Sequence, residues 1–407
     1  MTAPIRTDEF MARRKKVLRA LGKQIAVVFA GEQTDPLHGA FVCDKDFAYL
    51  TGLTDEPGAM LVLDPTQPVS SWRDTLVLRP LDPELEQWDG RRDPISGALK
   101  ARLGFKRVVR SNRLGRVLRE TLQRGKSLAC LHAFADFDQP VGPDLSLYRQ
   151  IAERVPGVAI DDSTNVLPAL RSVKSTAEVR CIAGAINATM EGHRKLLSAL
   201  EPGVEEHALQ AELEHGFALG GGRGHAFRPI VGSGKNATVL HYVTNHDVAG
   251  DGELLLLDCG TTVNGYCSDI TRCFPVSGKF SKRQREIYGI VLRALKAATT
   301  AVAPGVTMAQ VDAVARKIID AAGFGDNFMH GIGHHLGLDV HDSNPGGKLA
   351  PGNVVTIEPG IYLEDEGIGV RIEDDILVTK SGRRNLSSKI PREISDVEAF
   401  IREARRG

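Results

Sequence analysis

The stretch Glu253–Phe280, ELLLLDCGTTVNGYCSDITRCFPVSGKF, decides how the chain is read. Four leucines closed by Asp258 predict a buried strand, ended by a carboxylate that costs several kcal/mol there if left unpaired. Thr261–Phe274 reads as a hairpin turning at Asn264-Gly265, the dipeptide that two-residue turns favour. Asp258 and Asp269, eleven residues apart, then stand on chains that run back antiparallel, and their carboxylates converge on one point. Either aspartate alone would read as a turn former. Cys259, Cys267 and Cys273 crowd the same stretch and read as small core residues of the hairpin.

Three segments downstream extend the pattern. HGIGHHLGLDVHD (His330–Asp342) packs four histidines and three glycines into thirteen residues. Imidazoles at His330, His334 and His341 can donate, accept or ligate near neutral pH. His334 and His335 are adjacent and point to opposite faces of an extended segment, so only one is expected in a site. Glu358 follows a β-branched run and precedes Pro359-Gly360, a turn. Glu373 lies in GVRIEDDILV, with Arg371 two residues before it on the same strand face. Asp374 and Asp375 beside it are expected to face solvent or form a turn. Asp258, Asp269, His334, Glu358 and Glu373 make a hard, oxygen-rich set that suits a pair of divalent cations of the Mn, Co or Zn type. Without metal, four buried carboxylates would repel one another and take up protons. The glycines of GSGK (Gly232–Lys235) lack the rest of a phosphate-loop pattern and read as a turn.

Outside these segments the chain is ordinary. It has 407 residues, too many for one typical core, so two domains are expected. Lys plus Arg equals Asp plus Glu at 51 each, which argues against nucleic-acid or membrane-surface partners. Six cysteines without a CxxC pair fit a reducing cytoplasm. The basic run Arg13–Lys16 is followed by no apolar stretch of signal length and reads as the basic face of a helix over 9–21.

Apolar runs at Ile25–Ala30, Ala59–Leu63 and Thr75–Leu78 alternate with helix-like stretches around 94–103, 112–124 and 143–154, the signature of an α/β domain over 1–168. Repeated turns between Val155 and Ser175 mark the boundary. Helices are then expected over about Thr176–Leu200 and Glu205–Leu219, strands to Phe274, helices over about Ser281–Val302 and Thr307–Ala321, strands from His330 to Val378, and a last helix over Ile394–Arg405. Helix pair, strands, helix pair, strands suggests an internal duplication of an α+β catalytic domain over 169–407.

The chain resembles the pita-bread metallopeptidases of the aminopeptidase P and prolidase type. The matching segments are ATVLHYVTN (Ala237–Asn245), Leu256–Phe280, HGIGHHLGLDVHD, TIEPGIY (Thr356–Tyr362) and GVRIEDD (Gly369–Asp375). DKDFAYLTGLTDEPGAMLVL (Asp44–Leu63) and RPLDPELEQWDGRR (Arg79–Arg92) resemble the aminopeptidase P amino-terminal domain. The resemblance implies a Xaa-Pro aminopeptidase with a pita-bread domain after a smaller α/β domain. It would act on peptides with proline in second position through a hydroxide bridging two divalent ions, of which Mn is the family's preference. Asp258 would hold one ion, Asp269 and Glu373 both, and His334 and Glu358 the second. Glu358 is also implied as the proton acceptor, His241, His330 and His341 as substrate-facing histidines, and Tyr362 and Arg371 as a polar relay. The segment with Trp88 implies a homo-oligomer, dimer or tetramer.

A prolidase restricted to Xaa-Pro dipeptides is the nearest alternative. The extra domain and paired histidines argue against a methionine aminopeptidase. The intact set of five donors argues against a non-catalytic binding module or a metal-free, creatinase-like hydrolase.

Overall fold

In a computed structural model, which describes residues 2–33 and 41–406, the chain divides into two compact units, Ile5–Leu170 and Arg171–Gly407 with the first four residues. The first unit opens with α1 (Thr7–Leu21) and continues β1 (Ala26–Phe29), α2 (Lys45–Thr51), β2 (Met60–Leu63), β3 (Asp74–Leu78), α3 (Glu86–Asp89) and α4 (Gly97–Leu103). It closes with β4 (Arg107–Arg110), α5 (Leu114–Leu122), β5 (Ser127–Cys130), α6 (Pro143–Ala152) and β6 (Ala159–Asp162), and α7 (Val166–Ser172) spans the boundary. Strands β1 to β4 form one mixed sheet in chain order, antiparallel except for β3–β4, and β5 pairs parallel with β6.

Three of these strands were not foreseen. RVVR of β4 carries two arginines in four residues, and SLAC of β5 has no β-branched residue, so neither shows the expected pattern. AIDD of β6 lies among the residues expected to turn, and it is only half-buried. The basic face expected on α1 is also corrected. Arg13 and Arg14 are buried. Arg14 donates to Asp74 Oδ2 (2.7 Å) and to the carbonyls of Leu50 and Gly104, with its guanidinium over the Phe105 ring. A charge buried this way is tolerated because its donors are satisfied.

The second unit consists of two halves of like order. In the first, α8 (Thr176–Ala199) packs on α9 (Glu206–Leu219), followed by β7 (Ile230–Ser233), β8 (Leu254–Cys259), β9 (Thr262–Val263), β10 (Tyr266–Cys267) and β11 (Ile270–Pro275). In the second, α10 (Lys282–Ala301) packs on α11 (Met308–Ala321), followed by β12 (Val354–Ile357), β13 (Gly360–Leu363), β14 (Ile368–Arg371), β15 (Asp374–Thr379) and β16 (Gly382–Asn385), before α12 (Ile394–Ala404). Ser175, Ser281 and Thr307 start α8, α10 and α11 with reciprocal capping boxes to Glu178, Gln284 and Gln310. Each satisfies two backbone donors that a helix start leaves open.

Strand β8 is the middle of a three-stranded antiparallel sheet, β11–β8–β7. Its four leucines are fully buried, each contributing about 1.5–3 kcal/mol on leaving water. Asn264 (φ 51°) and Gly265 (φ 82°) turn β9 into β10, both left-handed as a type I′ turn requires. All six cysteines are free and buried, in keeping with the small-core reading.

A candidate dinuclear metal centre in a histidine-walled cavity

The register of the β8 sheet places the first donors. Thr271 of β11 faces Asp258 and Ile230 of β7 faces Asp258 from the other side, while Asp269 ends the link into β11. The second half supplies the rest. Residues 332–336 lie along β12: His334 N donates to Thr356 Oγ1, Thr356 N to His334 O, and Glu358 N to Ile332 O. Gly333 permits this approach, since a Cβ there would lie 2.1 Å from Thr356 O. Glu373 N then donates to Thr271 O, which ties the two halves together at the site.

The result is a cavity of about 570 Å³ lined by Asp258, Asp269, His334, Glu358, Glu373 and Arg371, with His241, His330 and His341 on its wall. Tyr362 stands behind the wall, its hydroxyl bonded to His330 and Arg371. All ten residues singled out in the sequence are therefore at or against one cavity. His335 lies outside its lining, bridged to Val355.

Two expectations about the Glu373 segment are corrected. Arg371 and Glu373 do not share a strand, because β14 ends at Arg371 and β15 begins at Asp374. They still meet, since Arg371 Nε donates to Thr271 Oγ1 (3.1 Å) and Thr271 Oγ1 to Glu373 Oε2 (2.7 Å). Asp374 and Asp375 are not solvent-facing; both are fully buried. Asp374 binds Arg272 and Arg392, which hold its carboxyl below the usual range despite burial. Asp375 accepts from Asp269 N, and burial pushes its carboxyl well up.

The hydrogen bonds fix the imidazole tautomers. His334 Nδ1 donates to His335 O (3.0 Å), so Nε2 presents a lone pair, 3.3 Å from Asp269 Oδ2 and 3.7 Å from Glu358 Oε1. His330 Nδ1 donates to Gly331 O, and Nε2 accepts from the Tyr362 hydroxyl, which itself accepts from Arg371 Nη1. Burial lowers both imidazoles to about 4, so they are neutral at pH 7.

These atoms suit divalent cations. Ligand atoms of Asp269, His334 and Glu373 all lie within 4.8 Å of one another. Three lone-pair bearers at that distance repel unless a positive charge lies among them. Burial, then the neighbouring carboxylates, raise Asp269 and Glu373 well above the carboxylate range, and burial takes Glu358 to about 7. Asp258 Oδ1 and Asp269 Oδ1 are buried without a partner. A carbonyl-anchored imidazole beside carboxylates is also how protein metal sites orient their histidines.

Sequence reading missed Thr271 and Thr356, which hold Glu373 and His334. Both lie two residues from a donor, Asp269 and Glu358, a spacing that puts side chains on one strand face. It also missed the buried cluster beneath the histidine loop. There Asp342 accepts from Arg171 Nη2 and pairs with Lys174 Nζ at 2.9 Å. Sequence distance hides such partners: Arg171 and Asp342 are 171 residues apart.

Fold and donor set together define a metallopeptidase whose catalytic unit is assembled from two like halves. Residues 180–380 match metallopeptidase family M24, and residues 10–129 match the aminopeptidase P N-terminal domain. The chain is 33% identical to a Xaa-Pro aminopeptidase of Haemophilus influenzae and 32% to one of Escherichia coli, covering 98% and 99% of each chain in the pair. It superposes on an aminopeptidase P of Escherichia coli with a TM-score of 0.89 at 30% identity, covering 100% of both chains. The chain belongs to the aminopeptidase P branch of family M24 and is a metallo-exopeptidase.

Proposed function

We propose that this chain is a Xaa-Pro aminopeptidase that releases the first residue of peptides with proline in second position. One observation carries the reading: four carboxylates and His334 converge on a cavity that His241, His330 and His341 also line, in a chain whose full-length relatives bear that name. Asp258, Asp269, His334, Glu358 and Glu373 would hold two divalent ions, with Mn the proposed metal. Bound there, such ions lower the pKa of water and polarise the scissile carbonyl.

The chain's own residues do the rest. Glu358 takes the proton of the attacking water on its carboxylate and returns it to the leaving proline nitrogen. His241 or His341 donates to the carbonyl oxygen as negative charge develops on it. Asp258 faces the α-amine, which limits cleavage to the first bond. Arg371 and Tyr362 hold Asp258 and His330 in place. A prolyl amide has no N–H to recognise, so selection falls to the shape and histidines of the wall.

Cytoplasmic location and assembly as a dimer or tetramer belong to the same proposal. No described helix is long and apolar enough to cross a membrane, and Trp88 is 86% exposed. An active monomer in sedimentation would remove the assembly.

The test is turnover of Xaa-Pro, Xaa-Pro-Yaa and Met-Yaa peptides with Mn, Co or Zn added back to stripped protein. Cleavage of the tripeptide after its first residue is the expected result. Cleavage of the dipeptide alone would make it a prolidase, and of Met-Yaa alone a methionine aminopeptidase.

A further inference from the structure

Six charged side chains line the cavity, and of its two arginines only one has an acidic partner among the described residues. Four are the carboxylates of the donor set, and the fifth is Arg371, engaged with Asp258 at 2.6 Å. The sixth is Arg228, which has no acidic partner among the described residues and donates one long hydrogen bond, Nη2 to Val243 O at 3.4 Å. Arg228 is exposed, while the residues that follow it, Pro229 and Ile230, are buried. Arg228 precedes Pro229, which biases it to an extended conformation. Pro229 O accepts from Asn245 Nδ2 (2.8 Å), and Asn245 Oδ1 accepts from Val231 N (3.0 Å). A cation on a fixed root, at the rim of a cavity with an acidic floor, complements a ligand bearing an amine at one end and a carboxylate at the other.

We infer that Arg228 binds the free C-terminal carboxylate of the substrate and gives the enzyme a preference for short peptides, Xaa-Pro-Yaa tripeptides foremost. Arg228 lies two residues before Ile230, the residue facing Asp258 across the sheet, a step of about 7 Å along an extended chain. Two substrate residues beyond the scissile bond span about the same length. Guanidinium and carboxylate pair through a charge-assisted, often two-pronged hydrogen bond, which a longer peptide or a C-terminal amide cannot offer at that point. The assignment rests on the aminopeptidase reading above and names its substrate class.

The experiment compares Ala-Pro-Ala, its C-terminal amide and Ala-Pro-Ala-Ala-Ala as substrates of the metal-loaded, full-length protein, in wild type, Arg228→Gln and Arg228→Lys. In wild type, amidation should raise KM about tenfold and change kcat less than about twofold, because the contact is made equally in ground and transition states. Arg228→Gln should bring the KM of the free acid up to that of the amide, Arg228→Lys should restore part of the difference, and salt should shrink it. A merely structural role for Arg228 would leave the acid-to-amide ratio intact. Equal KM for acid and amide in wild type, or a wild-type ratio in Arg228→Gln, overturns the assignment while leaving the aminopeptidase standing. Absence of any Xaa-Pro cleavage overturns both.

Discussion

Arg371 and Asp258, 113 residues apart in the chain, meet at 2.6 Å through Nη2 and Oδ2. The contact turns the other oxygen of Asp258, Oδ1, into a buried acceptor with no partner. One guanidinium thus fixes the orientation of one carboxylate and leaves three more without a fixed positive charge. The centre is built to be completed by cations.

Glu358→Gln should leave the fold intact, since the amide keeps the size of the side chain, while removing nearly all turnover. Circular dichroism and kcat on a Xaa-Pro-Yaa substrate check this together. Substantial activity in the metal-loaded variant would end Glu358's role as the proton carrier.

Thr271→Val removes a hydroxyl that accepts from Arg371 and donates to Glu373 at nearly constant volume. Loss of a group that orients a ligand typically costs ten- to a hundredfold in metal affinity, so about a tenfold weaker metal titration is expected. Calorimetric titration of stripped protein against Mn would measure it.

The metal-free protein should lose stability as pH rises above about 6.5. Glu358 has its carboxyl raised from 4.5 to about 7, and Asp269 and Glu373 are raised further. Between the unfolded and folded values the folded state holds more protons, so stability falls as pH increases. His330 and His334, lowered to about 4, act in the opposite sense, but only below their unfolded value of 6.5. Added divalent ion replaces the missing protons, so its increment in Tm should be larger at pH 8 than at pH 6.5. Scanning calorimetry with and without metal tests the sign, and an equal increment at both pH values would contradict it.

Asp342→Asn should destabilise the second unit by about 3 kcal/mol, because Lys174 would be left buried against a neutral amide and Arg171 would keep Asp339 but lose its buried carboxylate. Asp342 N also donates to His335 O, so the loop carrying His334 and His341 should loosen. Denaturant unfolding reads the first effect, and hydrogen exchange in residues 330–342 the second.

Arg14→Met should destabilise the first unit by about 2–3 kcal/mol, since the carbonyls of Leu50 and Gly104 lose a buried donor. Urea melts of wild type and variant would register the loss.

The sequence by itself determined most of the elements and pointed to the five candidate donors. Capping residues set the starts of α8, α10 and α11, Asn264-Gly265 set the hairpin, and a four-leucine strand ending in Asp258 announced a carboxylate with a task. These signals are local: each lies within a few residues of what it specifies. Tertiary structure alone decided which charges are satisfied. Asp374 and Asp375 look like a polar turn in the sequence, yet Arg272 and the Asp269 amide reach them across more than a hundred residues, and Arg392 from the segment just before α12. Arg13 and Arg14 look like a solvated face and are buried against carbonyls of α2 and the residue after α4. Whether a charge is paired depends on distances of 3–4 Å between remote segments, and only the folded chain fixes those.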